Sequence, residues 1–190
     1  MDTIHITGGQ PLVGEVRISG SKNGALPLLA ASLLVEGETV IENVPDIQDI
    51  QTMVETLRSL GAKCTYSPPG TLHVDASHIS SFAPPYHLVR RMRGSFYVAG
   101  PLLSRFREAE VPLPGGCAIG ARPVDFHISG FKQLGAEVQE RHGVMHARAA
   151  RLRGADIFLD GRLRSVGATI NIMLAAVLAE GTTVIENASR

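Results

Sequence analysis

Several features that would assign a protein to a broad class are missing from this sequence or scarce in it. Its 190 residues contain no tryptophan, only two cysteines and 5% aromatic residues. No run of about 18 apolar residues occurs, so we expect no transmembrane helix and no membrane partner. Residues 1–5 lack the basic and apolar regions of a signal peptide. These absences predict a cytoplasmic protein.

An excess of charge of one sign is also missing. The 18 basic residues balance the 18 acidic ones, so the net charge predicts no nucleic-acid partner. The arginines are nevertheless concentrated in two segments, residues 90–107 and 148–164. A solvated surface or a cleft for an anionic small molecule would explain them, and the composition leaves both open. The seven histidines have no metal-ligand spacing, so we expect neither a metal nor another cofactor.

The two cysteines, Cys64 and Cys117, form no CxxC pair, and a disulfide is not expected in a cytoplasmic protein. Cys64 lies on a predicted strand, where the repeat described below places Val138, and this favours a packing role for its side chain. Methionine side chains adapt to irregular gaps in a core. Three of them are therefore predicted to be buried: Met92, Met145 and Met173.

An internal repeat organises the chain. Residues 33–43 recur as residues 177–187, at an offset of 144, and residues 57–63 resemble residues 131–137, at an offset of 74. Because the first offset is close to twice the second, we predict that one unit of about 72 residues repeats. Such units bury their apolar helix faces only when neighbouring copies pack on them.

The first copy of the unit predicts the order strand, helix, strand, helix and hairpin, or βαβαββ. Its boundaries follow from apolar spacing, capping residues and glycines. We predict a helix over 23–35 with Pro27 in its first turn, a strand over 38–42, a second helix capped by Asp46 and ending at Leu60, and a hairpin of 63–66 with 71–74. A later strand is predicted over 182–186. The fold class is therefore α/β (α+β), with about two and a half units around a helical core.

The segment 113–127 holds a cysteine and an arginine among three glycines and two prolines. Gly115 and Gly116 would let the chain turn sharply and leave backbone amides open to an anion. Arg122 offers a forked donor that suits a carboxylate or phosphate. Positive potential of this kind lowers a thiol pKa and would prepare Cys117 to act as acid, base or nucleophile. A surface turn with an inert thiol is the alternative.

Three repeat-equivalent helix starts carry small residues, with a cation at or near the turn. They are the segments around Lys22 and Asn23, around Arg93, and around Ser165. The free amides and the dipole of a helix N-terminus attract anions, and a lysine or arginine adds to that attraction. The spacing of a Walker P-loop is absent. Convergence of the three starts on one cleft would make a strong anion site.

Taken together, the Lys22 turn, the Arg93 helix start, the loop from Pro114 to His127 and the segment 165–169 resemble the UDP-N-acetylglucosamine enolpyruvyl transferase family. They match in order and cover nearly all of the chain. The resemblance implies an "inside-out" barrel in which each of two domains contains three βαβαββ units. It assigns residues 1–18 to strands of the second domain and residues 19–190 to most of the first. The remainder of the first domain and nearly all of the second would then be absent.

The resemblance also implies an activity. Enolpyruvate would pass from phosphoenolpyruvate to the 3-hydroxyl of UDP-N-acetylglucosamine with release of phosphate, the first committed step of peptidoglycan synthesis. Cys117 would be the proton donor and the thiol that fosfomycin alkylates, and Lys22 and Arg122 would hold phosphoenolpyruvate. The intact enzyme would be a monomer. The residues that the resemblance assigns to the nucleotide sugar are Asn23, Arg93, Arg122, Pro123, Val124, Asp125, Phe126, Ser165, Val166 and Gly167.

Two positions depart from the family pattern. Phe126 stands where many relatives have leucine, and either Arg162 or Arg164 replaces a lysine near the diphosphate. The family's catalytic aspartate and a second phosphoenolpyruvate-binding arginine have no counterpart in these residues, so we expect the 190-residue chain alone to be inactive. A shikimate-pathway enolpyruvyl transferase would share the architecture but lack the cysteine loop. A truncated, non-catalytic substrate-binding relative is the other alternative.

Overall fold

The computed structural model describes residues 3–9, 11–114, 124–160 and 164–189. Helices and strands alternate along these ranges. The helices are α1 (Lys22–Ala31), α2 (Gln48–Ser59), α3 (Tyr86–Arg91), α4 (Ala99–Phe106), α5 (Asp125–Gln133) and α6 (Val166–Ala176). The strands are β1 (Glu38–Ile41), β2 (Lys63–Ser67), β3 (Thr71–Asp75), β4 (Glu108–Pro112), β5 (Glu137–Arg141), β6 (Val144–Arg148), β7 (Asp156–Phe158) and β8 (Val184–Glu186). Short 3-10 helices occupy Ser32–Leu34 and Arg93–Val98.

Two antiparallel sheets of the same topology show the repeat directly. The first has the order β1-β3-β2 and the second the order β4-β6-β5. Cys64 pairs with Val74 in the first sheet, and Val138 pairs with Ala147 at the matching place in the second. A third unit contributes β7 and β8, which pair in parallel on either side of α6 in the sequence. The predicted fold class and the repeat of about two and a half units are confirmed.

The repeat-equivalent helices α1, α4 and α6 form the centre of the molecule. Helix α4 packs along α6, and the 3-10 helix Arg93–Val98 contacts both α1 and α6. Leu29, Leu102 and Ile172, one from each helix, are completely buried. This burial contributes roughly 2 kcal/mol for each large apolar side chain. The sheets lie outside, so the helical core places three equivalent helix starts at one end.

The structure corrects the predicted start of the first helix. Helix α1 begins at Lys22, because the Oγ atom of Ser21 accepts a hydrogen bond of 3.1 Å from the amide of Gly24 and caps the helix there. Pro27 therefore lies in the second turn, and its placement in the first turn was wrong. At this position proline has no N–H to donate to the carbonyl of Asn23, four residues earlier. That carbonyl is left available near the helix start.

The predicted cap of the second helix is also wrong. Ile47 occupies the N-cap of α2 in an extended conformation, and its side chain makes no capping bond. Asp46 lies one residue too early to reach the first-turn amides and instead accepts a hydrogen bond of 3.0 Å from Gln51 Nε2. The other end follows the prediction. Gly61 has a φ of 109°, which glycine adopts without strain, and ends the helix.

Residues 3–9 and 11–20 form neither helix nor strand, and their apolar side chains are exposed. The assignment of residues 1–18 to strands of a second domain stays a prediction.

Met92 and Met145 are buried as predicted, whereas Met173 is 54% exposed and its prediction was wrong. The described ranges contain no second helix after α6 that could cover it, unlike the first two units. Within these ranges, every helix is too short or too polar to cross a membrane.

Candidate functional site

The three helix starts line one cleft of about 950 Å³. Lys22 and Asn23 reach it from α1, Arg93 from the 3-10 helix that precedes α4, and Arg164 from the residues before α6. The structure therefore brings together the cations that the repeat predicted to be equivalent. Such a concentration of positive charge in a concave site favours an anionic ligand.

The first and third helix starts are capped in the same way. Ser21 Oγ accepts from the Gly24 amide at 3.1 Å, and Ser165 Oγ accepts from the Ala168 amide at 3.2 Å. In each case the earlier amides of the first turn have no partner within the helix and can bind a ligand. The middle start has no side-chain cap and begins with a 3-10 helix instead. The site thus combines amides from two capped helices with the charge of Arg93.

Lys22 is held by a partner that the sequence analysis missed. Its Nζ atom lies 2.7 Å from Asp49 Oδ2, and both side chains are partly exposed at the cleft. Asp49 belongs to the first turn of α2. An exposed ion pair of this kind contributes little to stability. It places the ammonium group beside the Asp49 carboxylate, and no spacing in the sequence indicated this contact.

The structure divides the other predicted site residues into three groups. Phe126, Ser165, Val166 and Gly167 line the cleft with the cations. Val124 is buried just before α5. Asp125 is exposed and lines a separate depression along α5 rather than the cleft. Four residues lie outside the described ranges, and the predictions for them stay predictions: Cys117, Arg122, Pro123 and Arg162.

A buried polar network borders the cleft and was also missed. Asn171 is fully buried in α6, where its Nδ2 atom donates to the carbonyl of Phe96 at 3.0 Å. Its Oδ1 atom accepts from the amide of Gly100 at 2.7 Å. The same Nδ2 atom lies 3.1 Å from Nδ1 of His127, which is 4% exposed and lines the cleft. The signal available in the sequence was an asparagine inside a largely apolar helix.

Burial, together with the charge of Arg93, lowers the pKa of His127 to about 3. The imidazole is therefore neutral at physiological pH. An amide nitrogen only donates, so Nδ1 of His127 accepts from Asn171 and the ring proton resides on Nε2. The ring also packs edge-to-face on Phe96, with centroids 5.2 Å apart.

We predict that acid destabilises the chain through His127. The unfolded chain binds a proton on this imidazole below its ordinary pKa of 6.5, whereas the folded chain does so only near 3. The free energy of unfolding should fall as the pH drops through this window, by about 2 kcal/mol between pH 7 and pH 5. Urea unfolding at the two pH values measures it. In His127→Gln this part of the loss should be missing, and an equal loss in both proteins would contradict the prediction.

The two arginine-rich segments turn out to be divided between surface and cleft. Arg148 pairs with Glu108, and Arg151 with Glu180 at 3.0 Å, on the solvated surface. Arg93 and Arg164 line the cleft. Arg105 has a structural role, because its guanidinium donates to three backbone carbonyls of the first unit, those of Leu33, Val35 and Ala76. The solvated-surface interpretation therefore applies to Arg148 and Arg151, whereas Arg93 and Arg164 lie in a cleft, and the anionic ligand expected there stays a prediction.

Cys64 has the predicted packing role. Its side chain is buried in the core, and desolvation raises the pKa of its thiol to about 11. The thiol is therefore protonated and unreactive at neutral pH.

No group of three or more His, Cys, Asp or Glu side chains in the described ranges is arranged to hold a metal ion.

Comparison with known proteins now assigns the chain to a family. Residues 6–190 match the family described as EPSP synthase (3-phosphoshikimate 1-carboxyvinyltransferase). The chain belongs to the EPSP synthase family. Solved structures of this family have the same fold. An EPSP synthase from Acinetobacter baumannii superposes with a TM-score of 0.69 over 90% of this chain and 40% of its own, at 17% identity. The enolpyruvyl transferase NikO from Streptomyces tendae gives 0.78 over 94% and 41%, at 28% identity.

The chain is also similar in sequence to UDP-N-acetylglucosamine 1-carboxyvinyltransferases. It is 53% identical to a UDP-N-acetylglucosamine 1-carboxyvinyltransferase of Dichelobacter nodosus, over all of this chain and 45% of that protein. It is 52% identical to UDP-N-acetylglucosamine 1-carboxyvinyltransferase 2 of Carboxydothermus hydrogenoformans, over all of this chain and 44% of that protein. The chain thus spans less than half the length of the curated relatives that it matches.

Proposed function

We propose that this segment belongs to an enzyme that transfers enolpyruvate from phosphoenolpyruvate to the 3-hydroxyl of UDP-N-acetylglucosamine and releases phosphate. The observation that carries the proposal is the single cleft on which three equivalent, cation-bearing helix starts converge. Both substrates are multiply charged anions, and fixed cations with open helix amides suit them. Relatives that are about half identical in sequence carry the name of this reaction.

The proposed chemistry is an addition followed by an elimination. The sugar hydroxyl oxygen adds to C2 of phosphoenolpyruvate and its proton passes to a carboxylate base outside these residues, while the Cys117 thiol gives a proton to the methylene carbon, C3, and becomes a thiolate. This forms a tetrahedral intermediate that still carries the phosphate. The thiolate then takes a proton back from C3 as phosphate leaves C2 with the proton that the base had taken from the hydroxyl, and the double bond is restored. Lys22 and Arg122 hold the carboxylate and phosphate charges throughout.

The nucleotide sugar occupies the rest of the cleft in this proposal. The amides of Val166 and Gly167 bind the diphosphate at the start of α6, and Arg164, which lines the cleft, supplies the neighbouring charge. Phe126 packs against the uracil ring. Asn23 and Arg93 position the sugar. Arg122, Pro123, Val124 and Asp125 contribute further contacts through the loop that contains Cys117.

One alternative acceptor is 3-phosphoshikimate, the substrate in the description that the whole family carries. The EPSP synthase structures support only a shared fold, since they are 17% identical to this chain. The cysteine segment 113–127 and the relatives of about 50% identity both favour the nucleotide sugar. A non-catalytic substrate-binding protein is the second alternative, and it predicts binding of the sugar without release of phosphate.

The wider setting belongs to the same proposal. The enzyme would act in the cytoplasm as a monomer, at the first committed step of peptidoglycan synthesis, and so affect cell wall biogenesis, cell shape and division. Fosfomycin would inactivate it by alkylating Cys117. Residues 19–190 would form most of one domain, and residues 1–18 would join a second.

Release of phosphate by the full-length protein tests the proposal. We expect release from phosphoenolpyruvate to require UDP-N-acetylglucosamine and not to occur with 3-phosphoshikimate. The 190-residue chain alone should release none, because it spans less than half of its relatives' length. Release with 3-phosphoshikimate would favour the first alternative. Binding of the sugar by the full-length protein without release would favour the second.

A further inference from the structure

Asn171 is a buried polar side chain in the centre of the apolar helix α6. It is completely inaccessible to solvent, and each of its amide atoms is paired. Its orientation is fixed from two sides. The carbonyl of Phe96 can only accept a hydrogen bond, and the amide of Gly100 can only donate one. The NH2 group must therefore face Phe96, and the same group also faces His127.

This orientation determines which nitrogen of His127 carries the ring proton. Nδ1 lies 3.1 Å from Asn171 Nδ2 and has to accept, so the proton resides on Nε2. His127 is more than nine-tenths buried, yet it lines the cleft. Among the described residues, none forms a hydrogen bond with Nε2. In the described ranges the fully buried side-chain atoms without a partner are Thr39 Oγ1 and Ser95 Oγ, so Nε2 is not sealed in the core and its N–H can donate into the cleft.

The position of Nε2 indicates which part of the cleft it serves. A Cβ atom added to Gly167 would lie 3.5 Å from both Nε2 and Cε1 of His127, so a glycine in the first turn of α6 leaves this edge of the ring uncovered. The open amides of that turn face the same space, beside Ser165 and Arg164. A neutral N–H at this place adds a donor to the helix start without the cost of burying another charge.

We propose that Asn171 is a positioning residue that holds His127 in the Nε2–H tautomer, so that this N–H donates to the diphosphate of the nucleotide sugar at the start of α6. The inference rests on the proposed function and extends it to His127 and Asn171, to which the resemblance assigned no role. His127 touches the ligand, and Asn171 acts through it. A purely structural asparagine would fill its hydrogen bonds without any effect on ligand binding.

The first test is the tautomer itself, measured on the 190-residue chain. Two-bond 1H–15N correlations distinguish a protonated from an unprotonated ring nitrogen, and His127→Gln assigns the signals. We expect Nδ1 to be unprotonated and Nε2 protonated, with no change between pH 8 and pH 5. A proton on Nδ1, or an imidazolium at pH 6, would overturn the proposal.

The second test compares variants of the full-length enzyme. His127→Asn keeps an acceptor towards Asn171 but removes the donor at the cleft, whereas His127→Gln places an amide N–H near the position of Nε2. We expect His127→Asn to raise KM for UDP-N-acetylglucosamine about tenfold with kcat within threefold. His127→Gln should recover most of this loss. An unchanged KM in His127→Asn would overturn the proposal.

A third variant tests the positioning step. Asn171→Leu keeps the volume and removes the donor to Nδ1, so we expect the Nδ1–H tautomer to appear and KM for the sugar to rise by a similar factor. An unaltered tautomer in the folded variant would overturn the role of Asn171. If this variant does not fold, the tautomer of the unmodified chain and the two His127 variants still decide. Absence of sugar-dependent phosphate release from the unmodified enzyme would instead overturn the proposed function, and the inference with it.

Discussion

Replacing Lys22 with alanine in the full-length enzyme is expected to lower kcat/KM for phosphoenolpyruvate by about a hundred- to a thousandfold. Lys22 lies at the first position of α1, where its ammonium group and the open amides of the helix start face the same cleft. Its Nζ atom lies 2.7 Å from Asp49 Oδ2. A cation at this position stabilises charge that develops on the phosphate. Steady-state kinetics with varied phosphoenolpyruvate measure the effect.

Lys63→Ala is the matched control for Lys22→Ala. Lys63 is an exposed residue at the start of β2, away from the cleft, and its loss removes the same charge from the protein. We expect its kcat/KM to stay within twofold of that of the unmodified enzyme. Equal losses in the two variants would mean that overall charge, rather than the position of Lys22, governs the reaction. A loss below about tenfold in Lys22→Ala would contradict the proposed role.

The architecture could be predicted because two independent pairs of similar segments in the sequence indicate the repeat. Two pairs of similar segments agreed on one period, and glycines such as Gly61 marked the helix ends by their backbone requirement. The sheets β1-β3-β2 and β4-β6-β5 then follow from the same local pattern. The repeat also predicted which helix starts are equivalent. The structure agrees for the first and the third, because Ser21 and Ser165 cap their helices in the same way.

The errors at helix boundaries have a local cause. A serine, an aspartate and a proline can each begin a helix, and several of them lie close together before α1 and α2. Helix α1 begins after Ser21, which leaves Pro27 in its second turn, and α2 begins only after Ile47, one residue beyond Asp46. Met173 was predicted to be buried from its residue type alone. Its exposure depends on which element packs on α6, and this is a tertiary property.

The partners within the site could not be predicted, because they are distant in the sequence and their spacing has no meaning without the fold. Lys22 meets Asp49 across two helices, and His127 meets Asn171 through the contact between α5 and α6. The residue types identified the cations, and the repeat predicted that they converge on one cleft. Hydrogen-bond direction, which determines the tautomer of His127, is visible only when donors and acceptors have coordinates.

Gly100→Ala is expected to lower the free energy of unfolding of the chain by about 3 kcal/mol. Helix α4 approaches α6 closely at this residue. An alanine Cβ would lie 2.5 Å from the carbonyl oxygen of Asn171, 2.6 Å from its Oδ1 atom and 3.0 Å from Cβ of Leu174. Two of these atoms are backbone or fixed by hydrogen bonds, so the helices themselves must move apart. Alanine favours a helix over glycine by only about 1 kcal/mol, which does not compensate.

Thermal and urea unfolding of the 190-residue chain measure this loss, which corresponds to a Tm lower by roughly 6–12 °C. Gly24→Ala is the matched control, because it is the same change within α1. There the new Cβ would meet Ser21 Cβ at 3.5 Å, an ordinary contact, and the φ angle needs no glycine. We expect this control to be as stable as the unmodified chain, or more stable by up to about 1 kcal/mol. If Gly100→Ala were equally stable, the close packing of α4 on α6 that orients Asn171 towards His127 would be wrong.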